Sequence, residues 1–130
     1  MAARDPFLQN VKIVIVDDRP DLRLMAAQFL AGRGAQVFAA KNATEGFRII
    51  REIHPAVVVS DINMPGRNGF ELLADIRSLQ PENGGRVPAI AMSAYTQDDE
   101  AIFEAGFQKY LHKPFTPDEL LAAIDFVLQL

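Results

Sequence analysis

Five polar residues stand where strand-like runs of this chain end, and together they suit one kind of chemistry. Residues 11–16 (VKIVIV) run into Asp17 and Asp18, and residues 56–60 (AVVVS) run into Asp61. Residues 87–92 run into Ser93, and residues 107–111 are followed by His112, Lys113 and Pro114. If these runs are strands of one sheet, three carboxylates, a hydroxyl and an ammonium converge. Three negative charges in so small a region repel strongly unless a cation neutralises them. Oxygen-only ligands favour a hard ion. Mg²⁺ fits best, since it keeps several waters and takes one or two carboxylates with phosphate oxygens. A carboxylate, Mg²⁺, a lysine and a hydroxyl make a site for phosphoryl transfer.

The elements that must position these groups alternate along the chain. Strands are expected at 11–16, 36–40, 56–60, 87–92 and 107–111. Between them the spacing predicts helices over 20–33, opened by Pro20, and over 44–53, ended by His54-Pro55. A third follows over 70–79. Thr96 with Asp99 resembles a capping box for a short acidic helix ending near Gly106. Thr116, Pro117 and Glu119 form a second box before a last helix carrying Leu120, Leu121, Ile124, Val127 and Leu128. The polar, glycine-rich residues 80–86 (QPENGGR) are expected to be the most mobile loop. Apolar strands alternating with amphipathic helices, five times over, imply an α/β fold with a parallel sheet covered on both faces. Right-handed crossovers leave few topologies. In the five-stranded order 2-1-3-4-5, strands one and three are neighbours and strand four borders strand three. Ligand chemistry then sits at the carboxyl ends of the strands.

Composition narrows the function classes. The chain has 130 residues, of which 49% are apolar, which is one domain's worth. Its net charge of −4 argues against direct binding to nucleic acid. With no cysteine there is no disulfide framework and no thiolate chemistry. No apolar run approaches the roughly 20 residues that span a bilayer. Residues 1–10 lack the apolar centre of a secretory signal and read as an extension ahead of a domain over 11–130. A cytoplasmic location without membrane contact is expected. His54 and His112 have no partner spacing for a metal.

At these residues the sequence resembles the receiver domain of two-component response regulators. The motifs are IVIVDD at 13–18, SDINMPGRNG at 60–69, AMSAY at 91–95 and KYLHKPF at 109–115, and the likeness covers residues 11–130. The resemblance implies a flavodoxin-like, doubly wound (βα)5 fold. It implies that Asp61 is the phosphoacceptor, that Asp18 binds Mg²⁺ directly and that Asp17 acts through metal-bound water. The main-chain carbonyl of Asn63 would complete the metal site. Ser93 would bond the phosphoryl group, Lys113 would pair with the phosphoaspartate ahead of a cis proline, and Tyr110 would be the aromatic switch. The implied partner is a histidine kinase or a histidine phosphotransfer protein, with the chain a monomer or weak dimer. The implied role is signalling, catalysing only its own phosphorylation and dephosphorylation. Tyr95 and Asn63 fall at positions that tune water access. Phrases in 85–95 and 105–114 look most like receivers of hybrid histidine kinases, so a stand-alone receiver and a piece of a longer protein are both open. A phosphatase of the haloacid-dehalogenase type is disfavoured, because its motif spaces two aspartates by one residue and here Asp17 and Asp18 adjoin. No Gly-Lys-Ser/Thr loop for nucleotide is present.

Overall fold

The computed structural model describes residues 8–94 and 99–129. Five strands and five helices alternate: β1 (Lys12–Val16), α1 (Pro20–Ala31), β2 (Gln36–Ala40), α2 (Ala43–Ile53), β3 (Val57–Asp61), α3 (Gly69–Arg77), β4 (Ala89–Ser93), α4 (Asp99–Ala105), β5 (Lys109–His112) and α5 (Pro117–Leu128). The strands form one parallel sheet in the order β2-β1-β3-β4-β5, as expected. Alternate residues of each central strand feed two separate cores. Val14, Val16, Val58, Ala89 and Ala91 pack under α2, α3 and α4 with Ile50, Leu72, Leu73, Ile76 and Ile102. Ile13, Ile15, Val57, Val59, Ile90 and Met92 pack under α1 and α5 with Ala26, Leu30, Leu120, Ile124 and Val127. Burial on both faces is why these strands read as near-continuous apolar runs.

The register sets the site. Val16 pairs with Ser60, Asp61 with Met92, and Ser93 with His112. Asp17, Asp61, Ser93 and Lys113 therefore reach the same sheet edge. Helix starts are fixed by side-chain caps. Asn42 caps α2, while Asn68 with Glu71 and Thr116 with Glu119 form full capping boxes on α3 and α5.

Some boundaries differ from the sequence reading. α1 stops at Ala31, and α3 spans Gly69–Arg77 rather than 70–79. β4 and β5 start two residues later than expected. Before β5, Gly106 turns the chain with φ +113° and drops Phe107 into the core. The capping box expected at Thr96 lies outside the described residues. Within the stretch 80–86, Pro81–Asn83 is a 3-10 turn and Gly84 closes it at φ +98°, while Arg77 donates to the carbonyls of Gly85 and Val87. Leu8 is buried and donates its N–H to the Arg33 carbonyl at 3.1 Å, so packing begins ahead of residue 11. Among the described residues, no helix is long and apolar enough to cross a membrane.

Gly69 is the point where α3 docks on the site. Its N–H donates to the Ile62 carbonyl at 2.9 Å, and a Cβ there would run into the Asp61 carbonyl oxygen and stand 2.9 Å from Ile62 Cα. Gly66, by contrast, has φ +79° and open space around it. Gly69→Ala should therefore lower stability by about 1–3 kcal/mol through overpacking and shift the Asp61 amide resonance. Gly66→Ala should cost about 1 kcal/mol and leave Asp61 alone. Urea unfolding with amide spectra checks both. An Asp61 resonance that stays put in Gly69→Ala would contradict the close docking.

Candidate functional site

The acidic pair after β1 splits into two unlike environments. Asp17 is 1% exposed, and both of its carboxylate oxygens are engaged. Oδ1 accepts the Arg19 N–H at 2.9 Å, and Oδ2 meets Lys113 Nζ at 3.2 Å. The Asp17 carbonyl accepts from the Arg23 guanidinium at 2.8 Å. Asp18 is half-buried, and its carboxylate makes no hydrogen bond or ion pair among the described residues. Asp61, at the end of β3, is 4% exposed. Its Oδ1 lies 3.5 Å from Lys113 Nζ and accepts the Asn63 N–H at 3.4 Å. One ammonium thus bridges Asp17 and Asp61. Lys113 is held from behind, since its main-chain N–H donates to the Ser93 carbonyl at 2.8 Å. The Lys113–Pro114 peptide is cis.

Asp17, Asp18 and Asp61 each offer an oxygen, and these oxygens lie within 4.8 Å of one another. Asp18, Arg19, Asp61, Asn63, Ala94 and Lys113 line a cavity of about 180 Å³ beside them. A water's share of liquid volume is about 30 Å³, so an ion with several waters fits. The donors are all oxygen, and three carboxylates face one lysine. That set suits Mg²⁺, with Asp18 the carboxylate free to touch it and Asp17 already committed to protein partners. The charge imbalance also acts on Asp61. Burial, the largest effect, pushes its carboxyl from 3.8 up to about 6. The Lys113 ammonium opposes that rise, and the Asp17 carboxylate adds to it.

Ser93 and Tyr110 stand at the far side. The Asn63 side-chain amide donates to Ser93 Oγ at 3.3 Å, and the Tyr110 hydroxyl donates to the Ser93 carbonyl at 3.3 Å. Tyr110 is half-buried, and burial together with Asp99 raises its pKa. The fold therefore brings Asp17, Asp18, Asp61, Asn63, Lys113 and Ser93 to one edge, with Tyr110 hydrogen-bonded directly behind Ser93. Tyr95 lies outside the described residues. Three contributors were not singled out in the sequence: Arg19 through its N–H, Arg23 through its guanidinium, and the Asn63 side chain toward Ser93. A signal for Arg23 existed, because a cation near a helix N-terminus opposes the helix dipole and needs a local reason.

The chain matches the response regulator receiver domain family over residues 13–125 and belongs to that family. It is 39% identical over 119 residues to an uncharacterized 14.6 kDa protein of Leptolyngbya boryana, covering 90% of this chain and 89% of that one. It is 35% identical to the regulatory protein AtoC of Escherichia coli, covering 92% of this chain but 25% of AtoC. With the DNA-binding response regulator MtrA of Mycolicibacterium smegmatis it shares 31% identity, over 87% of this chain and 48% of MtrA. The chain thus spans about a quarter and about half of those two regulators. Among solved structures, chemotaxis protein CheY4 of Vibrio cholerae superposes with a TM-score of 0.84 at 27% identity, covering 91% of this chain and 98% of that one. The receiver domain of the sensor histidine kinase PA1611 of Pseudomonas aeruginosa, which holds a magnesium ion in its active site cleft, gives 0.83 at 25% identity, over 93% and 99% of the chains. The fold is the flavodoxin-like one of the CheY type. The chain is a signalling module of two-component systems, a class that works with histidine kinases or phosphotransfer proteins rather than as classical enzymes.

The raised Asp61 pKa carries a stability consequence. The folded state holds the Asp61 proton more tightly than the unfolded state, so the contribution of Asp61 to stability is fully present below about pH 4 and is lost as pH rises through about 6. Above that the cost is constant, on the order of 1–3 kcal/mol without a cation. Asp61→Asn in chelator should therefore be more stable than wild type by that amount at pH 7.5, with the gap closing toward pH 4. Millimolar Mg²⁺ should stabilise wild type more than the variant. Thermal or urea unfolding checks this; equal stability at pH 7.5 would contradict the buried-charge description.

Proposed function

We propose that the chain accepts a phosphoryl group on Asp61 from a phosphohistidine of a kinase or phosphotransfer protein, and that this changes its conformation to control a partner or an attached domain. The observation that carries the reading is Lys113 Nζ bridging Asp61 and Asp17 beside a cavity walled by Asp18. The step is an in-line displacement. An Asp61 carboxylate oxygen forms the new O–P bond as the P–N bond breaks, and the electron pair leaves with the imidazole nitrogen. Asp61 must be ionised to attack, and with a pKa of about 6 it is mostly so at pH 7.5. Lys113 offsets negative charge on the transferring group. Asp18, Asp61 and the main-chain carbonyl of Asn63 would hold Mg²⁺, with Asp17 acting through water; when bound, the ion neutralises phosphoryl charge and orients its oxygens. Water later attacks phosphorus, breaking the O–P bond to release inorganic phosphate and regenerate the Asp61 carboxylate. In this reading the protein works in the cytoplasm as a monomer or weak dimer, without touching nucleic acid itself.

Ser93 and Tyr110 carry the readout. Bonding a phosphoryl oxygen draws Ser93 toward Asp61, which takes its hydroxyl from Asn63 and disturbs the Tyr110 hydrogen bond on its carbonyl. Further burial of the ring contributes on the order of 1–2 kcal/mol, enough to shift a population. A full reversal from 1:99 to 99:1 takes about 5.5 kcal/mol.

Acetyl phosphate with Mg²⁺ should add one phosphoryl mass to wild type and none to Asp61→Asn, read by intact mass. Ser93→Ala should take the phosphoryl group yet leave the Tyr110 resonances unmoved. Label that persists in Asp61→Asn would overturn the assignment of Asp61, and a full Tyr110 response in Ser93→Ala would overturn the coupling.

A further inference from the structure

Arg77, the last residue of α3, carries a half-buried charge that phosphoryl transfer does not use. Its Nη1 donates to the carbonyls of Gly85 at 3.1 Å and Val87 at 2.7 Å, and its Nη2 donates to the Gly106 carbonyl at 3.2 Å. All three acceptors are main-chain oxygens, and they belong to two separate segments: the approach to β4 and the corner that closes α4. Among the described residues Arg77 makes no ion pair. Burial lowers its pKa, as expected for a desolvated charge met by dipoles alone. The Gly106 carbonyl follows the C-terminal end of α4, where helix dipoles favour a cation.

The corner packs inward through Gly106, Phe107 and Gln108. Gly106 has φ +113°, and a Cβ there would stand 3.4 Å from Leu73 Cδ2 and 3.5 Å from Arg77 Nε. Phe107 is 3% exposed and sits edge-on to Phe70 at 6.3 Å between ring centroids. Gln108 exchanges two hydrogen bonds with Ala89: its N–H donates to the Ala89 carbonyl at 2.9 Å, and its side-chain oxygen accepts the Ala89 N–H at 2.8 Å. The opposite end of α4 is different. Asp99 and Glu100 are exposed, and Ile102 is the helix's one buried residue.

We propose that Arg77 is a positioning residue that pins the α4–β5 corner, so that a displacement of α4 set off at Ser93 is a pivot about Gly106 rather than a shift of the whole helix. The pinning stands on the apo geometry alone, while the pivot rests on the phosphoacceptor reading above. Breaking the corner would cost three hydrogen bonds from the Arg77 guanidinium to main-chain carbonyls.

Arg77→Met removes the charge, and Arg77→Lys keeps it but cannot span three carbonyls. In the unphosphorylated protein, amide hydrogen exchange at Gly106, Phe107 and Gln108 should quicken about ten-fold in Arg77→Met, relative to Ile15 and Leu30, and by less in Arg77→Lys. Both variants should still take one phosphoryl group from acetyl phosphate. On phosphorylation, wild-type resonances should move at Asp99–Ile102 far more than at 105–107, and in Arg77→Met the change should spread to 105–107. Corner exchange within about two-fold of wild type overturns the pinning. Corner resonances that move as much as Asp99 in wild type overturn the pivot. Should wild type take no phosphoryl group, the phosphoacceptor reading falls and the pivot with it, and exchange still decides the pinning. If Arg77→Met does not fold, the lysine variant carries the same comparisons.

Discussion

Three carboxylates are forced to one edge of a buried parallel sheet, with a single lysine between two of them, and much of the structure follows from that imbalance. The strands are apolar on both faces, so polar groups can stand only at their ends. Register then decides which ends meet. Because Val16 aligns with Ser60 and Asp61 with Met92, Asp17, Asp18 and Asp61 cannot avoid one another. Lys113 offsets part of the charge and fixes the geometry, and burial still leaves Asp61 with a pKa of about 6. A site held in this condition favours anything that brings positive charge, and a divalent cation with a phosphoryl group supplies it in a form the cavity can hold.

The adjacent aspartates illustrate how position separates identical side chains. Asp17 is bound on both oxygens, to a helix-start N–H and to Lys113, so it works as scaffold and as a source of field. Asp18, one residue on, keeps its carboxylate open toward the cavity. Arg23 holds the Asp17 carbonyl from α1, which ties the start of that helix to the acidic edge. Gly69 does the same from α3, where the backbone approaches Asp61 too closely for any side chain.

Local signals carried much of this. β2 lies at 36–40 as its pattern indicates, and Thr116 with Glu119 caps α5 as their spacing indicates. Chain connectivity and crossover handedness left few strand orders, among them 2-1-3-4-5, and the strand-end residues followed from where apolar runs stop. What could not be read is contact between distant segments. Asn63 and Ser93 are 30 residues apart, and Arg77 and Gly106 are 29 apart. Nothing in the local pattern of either residue marks its partner. The bond from Arg77 to the Gly85 carbonyl, just beyond the turn at 81–83, is a contact of the same kind that composition does not mark. The unlike roles of Asp17 and Asp18 in the unliganded protein likewise depend on the distant Lys113.

The balance between burial and Lys113 at Asp61 is open to direct measurement. Carboxyl ¹³C resonances followed against pH, in chelator, give the Asp61 pKa for wild type and for Lys113→Met. A wild-type value near 6 that climbs further in Lys113→Met is expected, because burial raises it and the ammonium holds it down. An ordinary carboxylate value that does not respond to loss of Lys113 would contradict the charge-strained site from which the rest is argued.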